Sequence, residues 1–147
     1  MAKKQFDKNK GIDMKKILLI LTSILALNAQ ANEADIRKEL QKHVDGLNQE
    51  SLPKTTSSFH SQSPQYAPFT QMMQQSFQQY DISIEMKEID YVGRSGEYVV
   101  AKVTSQAVRK SGAPFIDNQS TTFYFFKKDG TEWKIWAFMG VDSVPLR

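Results

Sequence analysis

The 147-residue chain contains no cysteine, and this absence excludes disulfides, thiolate metal ligands and a cysteine nucleophile within it. Histidine is also scarce, because only His43 and His60 are present, and their separation does not match the ligand spacing of a zinc site. No glycine-rich phosphate loop precedes a helix, and no serine lies in a nucleophile elbow. The sequence therefore predicts no bound metal and no cofactor.

Long apolar runs are missing as well, since the longest covers only residues 17–27, too few to span a bilayer as a helix. Lys15 and Lys16 precede this run, and the small residues Ala29 and Ala31 follow it. These are the three parts of a secretory signal peptide, predicted over residues 14–31 with cleavage after Ala31. Residues 1–13 are polar, so Met14 is the expected true start. We predict a periplasmic or secreted bacterial protein with no stable membrane span after cleavage.

The basic charge of the chain comes mostly from this segment. The whole chain has a net charge of +3, but residues 1–31 carry six lysines and two aspartates. The remaining 13 basic and 14 acidic residues give residues 32–147 a net charge of −1. Nucleic-acid binding, which needs clustered lysine and arginine, is not expected. The 116 residues from 32 to 147 have the size of a single domain.

Two helices are predicted in the first half of this domain. Helical spacing of apolar residues indicates an amphipathic helix over residues 34–50, and the residues are Ile36, Leu40, Val44 and Leu47. Pro53 should end this element, and the polar residues 54–65 should form a loop. Pro68 is typical of a helix start, and a second helix is expected over residues 68–80.

From Asp81 onward the apolar pattern has a period of two, which predicts strands. Four strands are expected at about residues 82–92, 97–109, 118–128 and 133–142. Their short, glycine-containing connections favour an antiparallel meander. Two helices before four such strands predict an α+β fold, with the helices packed on one face of a curved sheet.

The last strands look apolar on both faces. On the fourth strand, the pattern predicts one set of side chains in the core (Trp133, Ile135, Ala137 and Met139) and another on the opposite face (Lys134, Trp136, Phe138 and Gly140). A solvent-facing sheet surface should be polar, so this second face should be covered. We expect a homodimer with Trp136 and Phe138 in its interface; cover by the chain's own terminus is the alternative.

The order of elements resembles the nuclear transport factor 2-like superfamily, which includes the SnoaL-like proteins. The resemblance spans residues 32–147, and its most typical segment is the closing hairpin from Phe125 to Ile135, FFKKDGTEWKI. It implies a cone-shaped fold with a pocket between sheet and helices, and frequent dimers packed sheet to sheet. This fold hosts isomerases, dehydratases, cyclases and binding modules, so it implies no single function.

Candidate site residues follow from residue type. Asp117 and His60 are candidate catalytic bases, although the neighbours of His60 show no means of arranging a substrate proton. His43 is expected at the boundary of the first helix, with one side in water. Large side chains with a polar tip are typical of apolar ligand sites, although they also serve as ordinary core aromatics; the candidates are Tyr80, Tyr91, Tyr98 and Tyr124, joined in the pocket argument by Trp136.

Three functions remain open at this point. The favoured one is an exported, non-catalytic module that binds a small apolar ligand or a protein partner. The second is a small cofactor-free enzyme that transfers a proton with Asp117 or His60 as its base. The third is a cell-envelope assembly factor whose sheet face docks a larger protein.

Overall fold

The computed structural model describes residues 32–147, and residues 33–147 form one compact unit. The predicted signal peptide and start lie outside the described residues. Helix α1 covers residues 32–48, α2 covers Leu52–Thr56 and α3 covers Tyr66–Gln79. Within residues 32–147, no helix has the length and apolar character needed to cross a membrane.

The short helix α2 corrects the prediction of a loop over residues 54–65. Pro53 lies in the first turn of α2 instead of ending the previous element. Its ring fixes φ near the helical value, and a first-turn residue needs no N–H donor, so proline suits this position. The loop proper begins only after Thr56.

The four predicted strands are all present and form one antiparallel sheet in the order β1-β2-β3-β4. Each strand is longer than the pattern indicated, and the bounds are β1 Tyr80–Ser95, β2 Tyr98–Gly112, β3 Asn118–Asp129 and β4 Glu132–Pro145. The curved sheet with helices on one face confirms the predicted α+β fold.

The core lies between the helices and one face of the sheet. Ile36 and Leu40 of α1 are each only 1% exposed, which confirms the predicted apolar stripe of this helix. They pack with buried residues from β2, β3, β4 and the loop before α3, including Val99, Ala101, Val103, Phe126, Trp133, Ile135 and Phe59. α1 is also tied to β4 by an ion pair of 2.9 Å between Glu39 Oε1 and Lys134 Nζ.

A β-bulge in β4 reverses the predicted facing of residues 137–140. Phe126 pairs with Ile135 but Phe125 pairs with Ala137, so Trp136 is the extra residue. Beyond a bulge, alternation resumes in the opposite phase. Phe138 therefore lies on the core side, while Met139 is 55% exposed. The predicted facing of Phe138 and Met139 was wrong for this reason.

The loop before α3 attaches to the free edge of β4. His60 donates its backbone N–H to the carbonyl of Ile135 (2.9 Å), and Ile135 donates to the carbonyl of Ser58 (2.8 Å). Phe59 forms a parallel bridge with Ile135. This short pairing covers an edge that would otherwise expose unpaired backbone groups.

Candidate functional site

A cavity of about 360 Å³ lies between α1, α3 and the core-facing side of the sheet. Its wall is mostly apolar and aromatic, with contributions from Leu47, Phe69, Met73, Phe77, Ile82, Ile84, Phe115 and Phe138. The polar residues of the wall are fewer, and they are His43, Glu50, Ser76, Tyr80 and Tyr124. A second, smaller cavity of about 180 Å³ shares Leu47, Ile84 and Tyr124 with the first.

His43 is the most buried polar group of this wall, with only 2% of its surface exposed. Its Nδ1 lies 3.2 Å from the carbonyl oxygen of Thr55. A carbonyl only accepts, so Nδ1 carries the proton and donates it. Burial lowers the pKa of His43 to about 4, and the Thr55 hydrogen bond opposes this with a smaller effect. The ring is therefore neutral at pH 7, and its Nε2 is an acceptor with no partner among the described residues.

The approach of Thr55 to His43 depends on Gly46, one turn further along α1. A β-carbon at Gly46 would lie 2.6 Å from the backbone nitrogen of Thr55, which is closer than real β-carbons come. The absence of a side chain at this position lets α2 pack directly on α1. Gly46 therefore allows the close approach of Thr55, whose carbonyl fixes the tautomer of His43.

Tyr124 is the second polar group in the interior of the cavity. Its ring centroid lies 6.2 Å from that of His43, in an edge-on arrangement. Burial raises the pKa of Tyr124 to about 12, so the hydroxyl keeps its proton at every physiological pH. Within residues 32–147, this hydroxyl has no hydrogen-bond partner. A donor and an acceptor thus lie unused at the wall of an apolar cavity.

The remaining polar residues lie toward the more exposed part of the wall. Glu50 is exposed, while Ser76 and Tyr80 are half-buried at the end of α3. The ring of Phe115, from the β2–β3 connection, lies edge-on to Tyr80 at 6.1 Å. Phe115 and Tyr80 therefore join the β2–β3 connection to the end of α3 beside the cavity.

The predicted catalytic base His60 lies outside the cavity wall. Its Nε2 donates to the carbonyl of Lys128 (3.1 Å), and its Nδ1 accepts from the backbone N–H of Gln62 (3.0 Å). The ring also lies edge-on to Trp136 at 5.1 Å. Both nitrogens are thus engaged in holding the loop to the β3–β4 hairpin, which is a structural role.

Asp117, the other predicted base, also lies away from the cavity wall. Its Oδ1 accepts the backbone N–H of Arg109 at 2.8 Å, and its carbonyl accepts from Leu146. These bonds fix the connection between β2 and β3. The structure therefore does not bring Asp117 and His60 together at one site.

The four predicted tyrosines divide between different places. Tyr80 and Tyr124 line the cavity, and Tyr91 packs against the core. Tyr98 lies on the opposite face of the sheet, with its ring 6.2 Å from that of Trp136. The ammonium group of Lys127 lies 4.6 Å from the Trp136 ring centroid. We call this surface, formed by Tyr98, Lys127 and Trp136, the outer aromatic cluster.

The structure assigns Phe138 to the cavity instead of the outer face. Its ring packs edge-on against Phe69 at 5.7 Å and Phe59 at 6.2 Å. The predicted pair Trp136 and Phe138 is thus split between the two faces by the bulge. Within residues 32–147, no group of three or more metal-ligating residues is present.

His43 was expected at the boundary of the first helix with one side in water, and this prediction was wrong, because only 2% of its surface is exposed. A usable signal was present, because His43 lies three residues after Leu40 and four before Leu47, both on the apolar stripe. Residues three and four apart share one helix face. A histidine inside such a stripe is expected to be buried, and a buried histidine favours the neutral form.

Residues 38–144 match the family described as the C-terminal domain of the anti-sigma-I factor RsgI9. The chain belongs to this family. The match includes α2, α3 and most of α1 and the sheet, with both polar groups in the interior of the cavity. No curated protein sequence matches this member of the RsgI9 C-terminal domain family.

Solved structures confirm the predicted fold. A candidate scytalone dehydratase from Novosphingobium aromaticivorans has a TM-score of 0.65 at 10% identity, with 81% of this chain and 90% of that chain covered. A nuclear transport factor 2-like protein of unknown function from Shewanella oneidensis has a TM-score of 0.58 at 12% identity (76% and 99% covered). A ketosteroid isomerase-like protein from Erwinia carotovora has a TM-score of 0.54 at 14% identity (71% and 91% covered). At such identities the likeness shows the nuclear transport factor 2-like fold alone.

Proposed function

We propose that this domain binds a small, largely apolar ligand in the cavity between its helices and its sheet, without chemical conversion. The observation that carries the proposal is the combination of an apolar wall with two unused hydrogen-bonding groups, His43 Nε2 and the Tyr124 hydroxyl. Pockets for small molecules typically have this composition, and about 300–1,000 Å³ is their usual size.

The magnitudes are compatible with specific binding. A ligand that buries roughly 200 Å² of apolar surface gains about 5 kcal/mol at about 25 cal/mol per Å². Association costs reduce this gain, because the ligand loses translational and rotational freedom. Hydrogen bonds to otherwise unpartnered groups in the cavity supply the additional free energy that selects one ligand over another.

The test is binding of the apolar fluorescent probe N-phenyl-1-naphthylamine. We expect its emission to rise on addition of the protein and the signal to saturate at one probe per chain. Leu47→Trp should abolish binding by filling the space beside His43, and Ser76→Phe should reduce it from the other end of the wall. Met139→Trp, on the exposed outer face, is the matched control.

Circular dichroism must show that each variant is folded. If the filled variants bind the probe as well as the wild type does, the ligand-binding proposal is wrong.

A second candidate function is proton transfer, with His43 as the base in place of Asp117 or His60. The neutral ring with a free Nε2 supports this candidate, because a general base must be unprotonated at the working pH. The Tyr124 hydroxyl would donate to a developing enolate oxygen. The enolisable ketone 2-tetralone tests the idea: α-deuterium exchange that is lost in His43→Leu would favour an enzyme.

We also propose that the domain is exported, on the support of the signal-like residues 14–31. Mass spectrometry of the protein recovered from the periplasm or medium should give a chain that begins at Asn32. Retention of residues 1–31 in that fraction would contradict cleavage after Ala31.

The outer face of the sheet is the proposed surface for homodimerisation. Trp136 and Tyr98 lie there, and the second half of β4 adds the exposed apolar residue Met139. Exposed patches of this kind commonly mark an association surface. In analytical ultracentrifugation, Trp136→Glu should dissociate the dimer, whereas Ile116→Glu, at an exposed position in the β2–β3 connection, should not. A wild-type monomer at tens of micromolar would contradict the proposal.

The family is named for an anti-sigma factor, which supports a protein partner other than a second copy of this chain. We propose the same outer face as its docking surface. This candidate separates from the homodimer in the same experiment. A wild-type monomer whose outer face remains uncovered would leave the surface free for such a partner.

A further inference from the structure

We infer that the cavity selects a neutral ligand that carries a hydrogen-bond donor and an acceptor on the same polar end, such as a hydroxyl group on an apolar ring. This inference rests on the proposed function and names the chemical class of its ligand. It follows from the two polar groups in the interior of the cavity, His43 and Tyr124, whose rings lie 6.2 Å apart.

His43 offers an acceptor and no donor to a ligand. Its one ring proton is on Nδ1 and is donated in a hydrogen bond to the Thr55 carbonyl oxygen at 3.2 Å. The close packing at Gly46 keeps Thr55 in place. The ring is surrounded by aromatic neighbours, Phe59, Phe69 and Tyr124, which offer no charge to stabilise an imidazolium. A ligand that contacts Nε2 must therefore donate a hydrogen bond to it.

Tyr124 offers the complementary donor, since its hydroxyl has no partner among the described residues and stays protonated. A ligand oxygen that accepts from Tyr124 and donates to His43 satisfies both groups at once. A hydroxyl group has this capacity on a single atom, because it carries one donor and two lone pairs. A ring without polar atoms would leave both groups unsatisfied.

The charge of the wall excludes anions. All residues of the cavity wall belong to the described part of the chain, and none is a lysine or arginine; its one charged residue is the carboxylate of Glu50. A carboxylate ligand would enter an apolar space without a counter-ion and near a like charge, which strongly disfavours burial. The cavity thus discriminates against acids of the same shape.

The experiment compares four ligands with one ten-carbon skeleton: naphthalene, 2-naphthol, 2-methoxynaphthalene and 2-naphthoate at pH 7. We expect 2-naphthol to bind about tenfold more tightly than naphthalene, as two neutral hydrogen bonds of ordinary net strength allow. The methoxy compound, which only accepts, should lie between them, and 2-naphthoate should bind more weakly than naphthalene.

Variants connect this preference to the two groups. Tyr124→Phe removes one oxygen and should bring the affinities for 2-naphthol and naphthalene several-fold closer together, because 2-naphthol loses a hydrogen bond and naphthalene no longer covers an unpaired hydroxyl. His43→Leu should do the same. Tyr98→Phe, the same substitution on the outer face, should change nothing.

The outcomes separate this inference from the proposed function. Equal affinities for naphthalene and 2-naphthol, or the tightest binding by 2-naphthoate, would overturn the inference and leave the proposed apolar site intact. If none of the four ligands binds and N-phenyl-1-naphthylamine also fails, the proposed function falls and this inference with it.

Discussion

The two histidines are similarly buried but differ in how many of their ring nitrogens have a hydrogen-bond partner. His43 and His60 are both nearly inaccessible, at 2% and 5% exposure, and both donate a ring proton to a backbone carbonyl. At His60 the second nitrogen also has a partner, the backbone N–H of Gln62. At His43 the second nitrogen has none among the described residues, and the residue belongs to the wall of a cavity.

The difference shows which buried polar groups are structural. A ring whose two nitrogens are satisfied by backbone groups holds segments together, because every hydrogen bond it can form is already made. A ring with one unused nitrogen carries an unmet preference that a ligand can satisfy. Burial alone therefore does not identify a functional histidine; the count of partners does.

The largest effect that tests this comparison is the acid dependence of stability. Burial holds the pKa of His43 at about 4, below the ordinary 6.5 expected in the unfolded chain. The folded state thus binds fewer protons than the unfolded state between these values, so stability falls as the pH is lowered from about 6.5 to about 4. The difference between these two pKa values corresponds to a loss of about 3 kcal/mol in the free energy of unfolding when the pH is well below both. Urea unfolding at a series of pH values measures it.

The variant His43→Leu is the control for this titration, since it removes the ring while the Thr55 carbonyl keeps its bond from Ser58. We expect a nearly flat stability profile between pH 6.5 and 4 in this variant. The carboxyl groups of Asp129 and Glu132 have lowered pKa values, through a hydrogen bond from Ser61 and through Lys134 respectively, and they act mainly at more acidic pH. An unchanged slope in His43→Leu would refute the buried neutral imidazole.

The next effect is the loss of stability in His60→Ala. The substitution removes hydrogen bonds to the Lys128 carbonyl and the Gln62 N–H and the contact with the Trp136 ring. We expect a loss of about 2 kcal/mol in the free energy of unfolding. The cavity is left intact, so the affinity for 2-naphthol should stay within a factor of two. A large loss of affinity in a folded His60→Ala protein would contradict the structural role of this residue.

A smaller effect is expected for Gly46→Ala, which bears on how His43 is held. Alanine favours the helix over glycine by about 1 kcal/mol, but its β-carbon would overlap the backbone of Thr55, and overpacking of this kind costs about 2 kcal/mol. The net loss should be about 1 kcal/mol, measured by thermal unfolding. Gly140→Ala meets no atom within 4 Å and is the matched control, expected to be neutral. If Gly46→Ala were more stable than the wild type, α2 could move away from the added β-carbon without a cost in stability, which would contradict the tight packing.

The fold could be predicted from the sequence because its signals are local. The stripe of α1 and the alternation after Asp81 determine helices and strands directly, and short turns leave little choice of strand order. The helix α2 was missed because the same signal, Pro53, fits the end of one helix and the first turn of the next.

The site could not be predicted in the same way, because it depends on non-local geometry. The extra residue Trp136 places Phe138 at the cavity, and no pattern in the sequence predicts that bulge. The free nitrogen of His43 depends on Thr55 in another helix, and the Nε2 of His60 is satisfied by Lys128, 68 residues away. Partners at such separations are fixed by the tertiary structure, so residue type alone directed attention to the wrong histidine.

The last prediction needs no substitution and distinguishes the two histidines most directly. Because each ring donates to a carbonyl, His43 must carry its proton on Nδ1 and His60 on Nε2. Long-range proton–nitrogen correlation spectra of the protein should show the two rings protonated on these opposite nitrogens. On addition of 2-naphthol, the unprotonated nitrogen of His43 should shift as it accepts a hydrogen bond, while both nitrogens of His60 should not. The same tautomer in both rings, or a ligand-dependent shift at His60, would remove the distinction between a binding and a structural histidine.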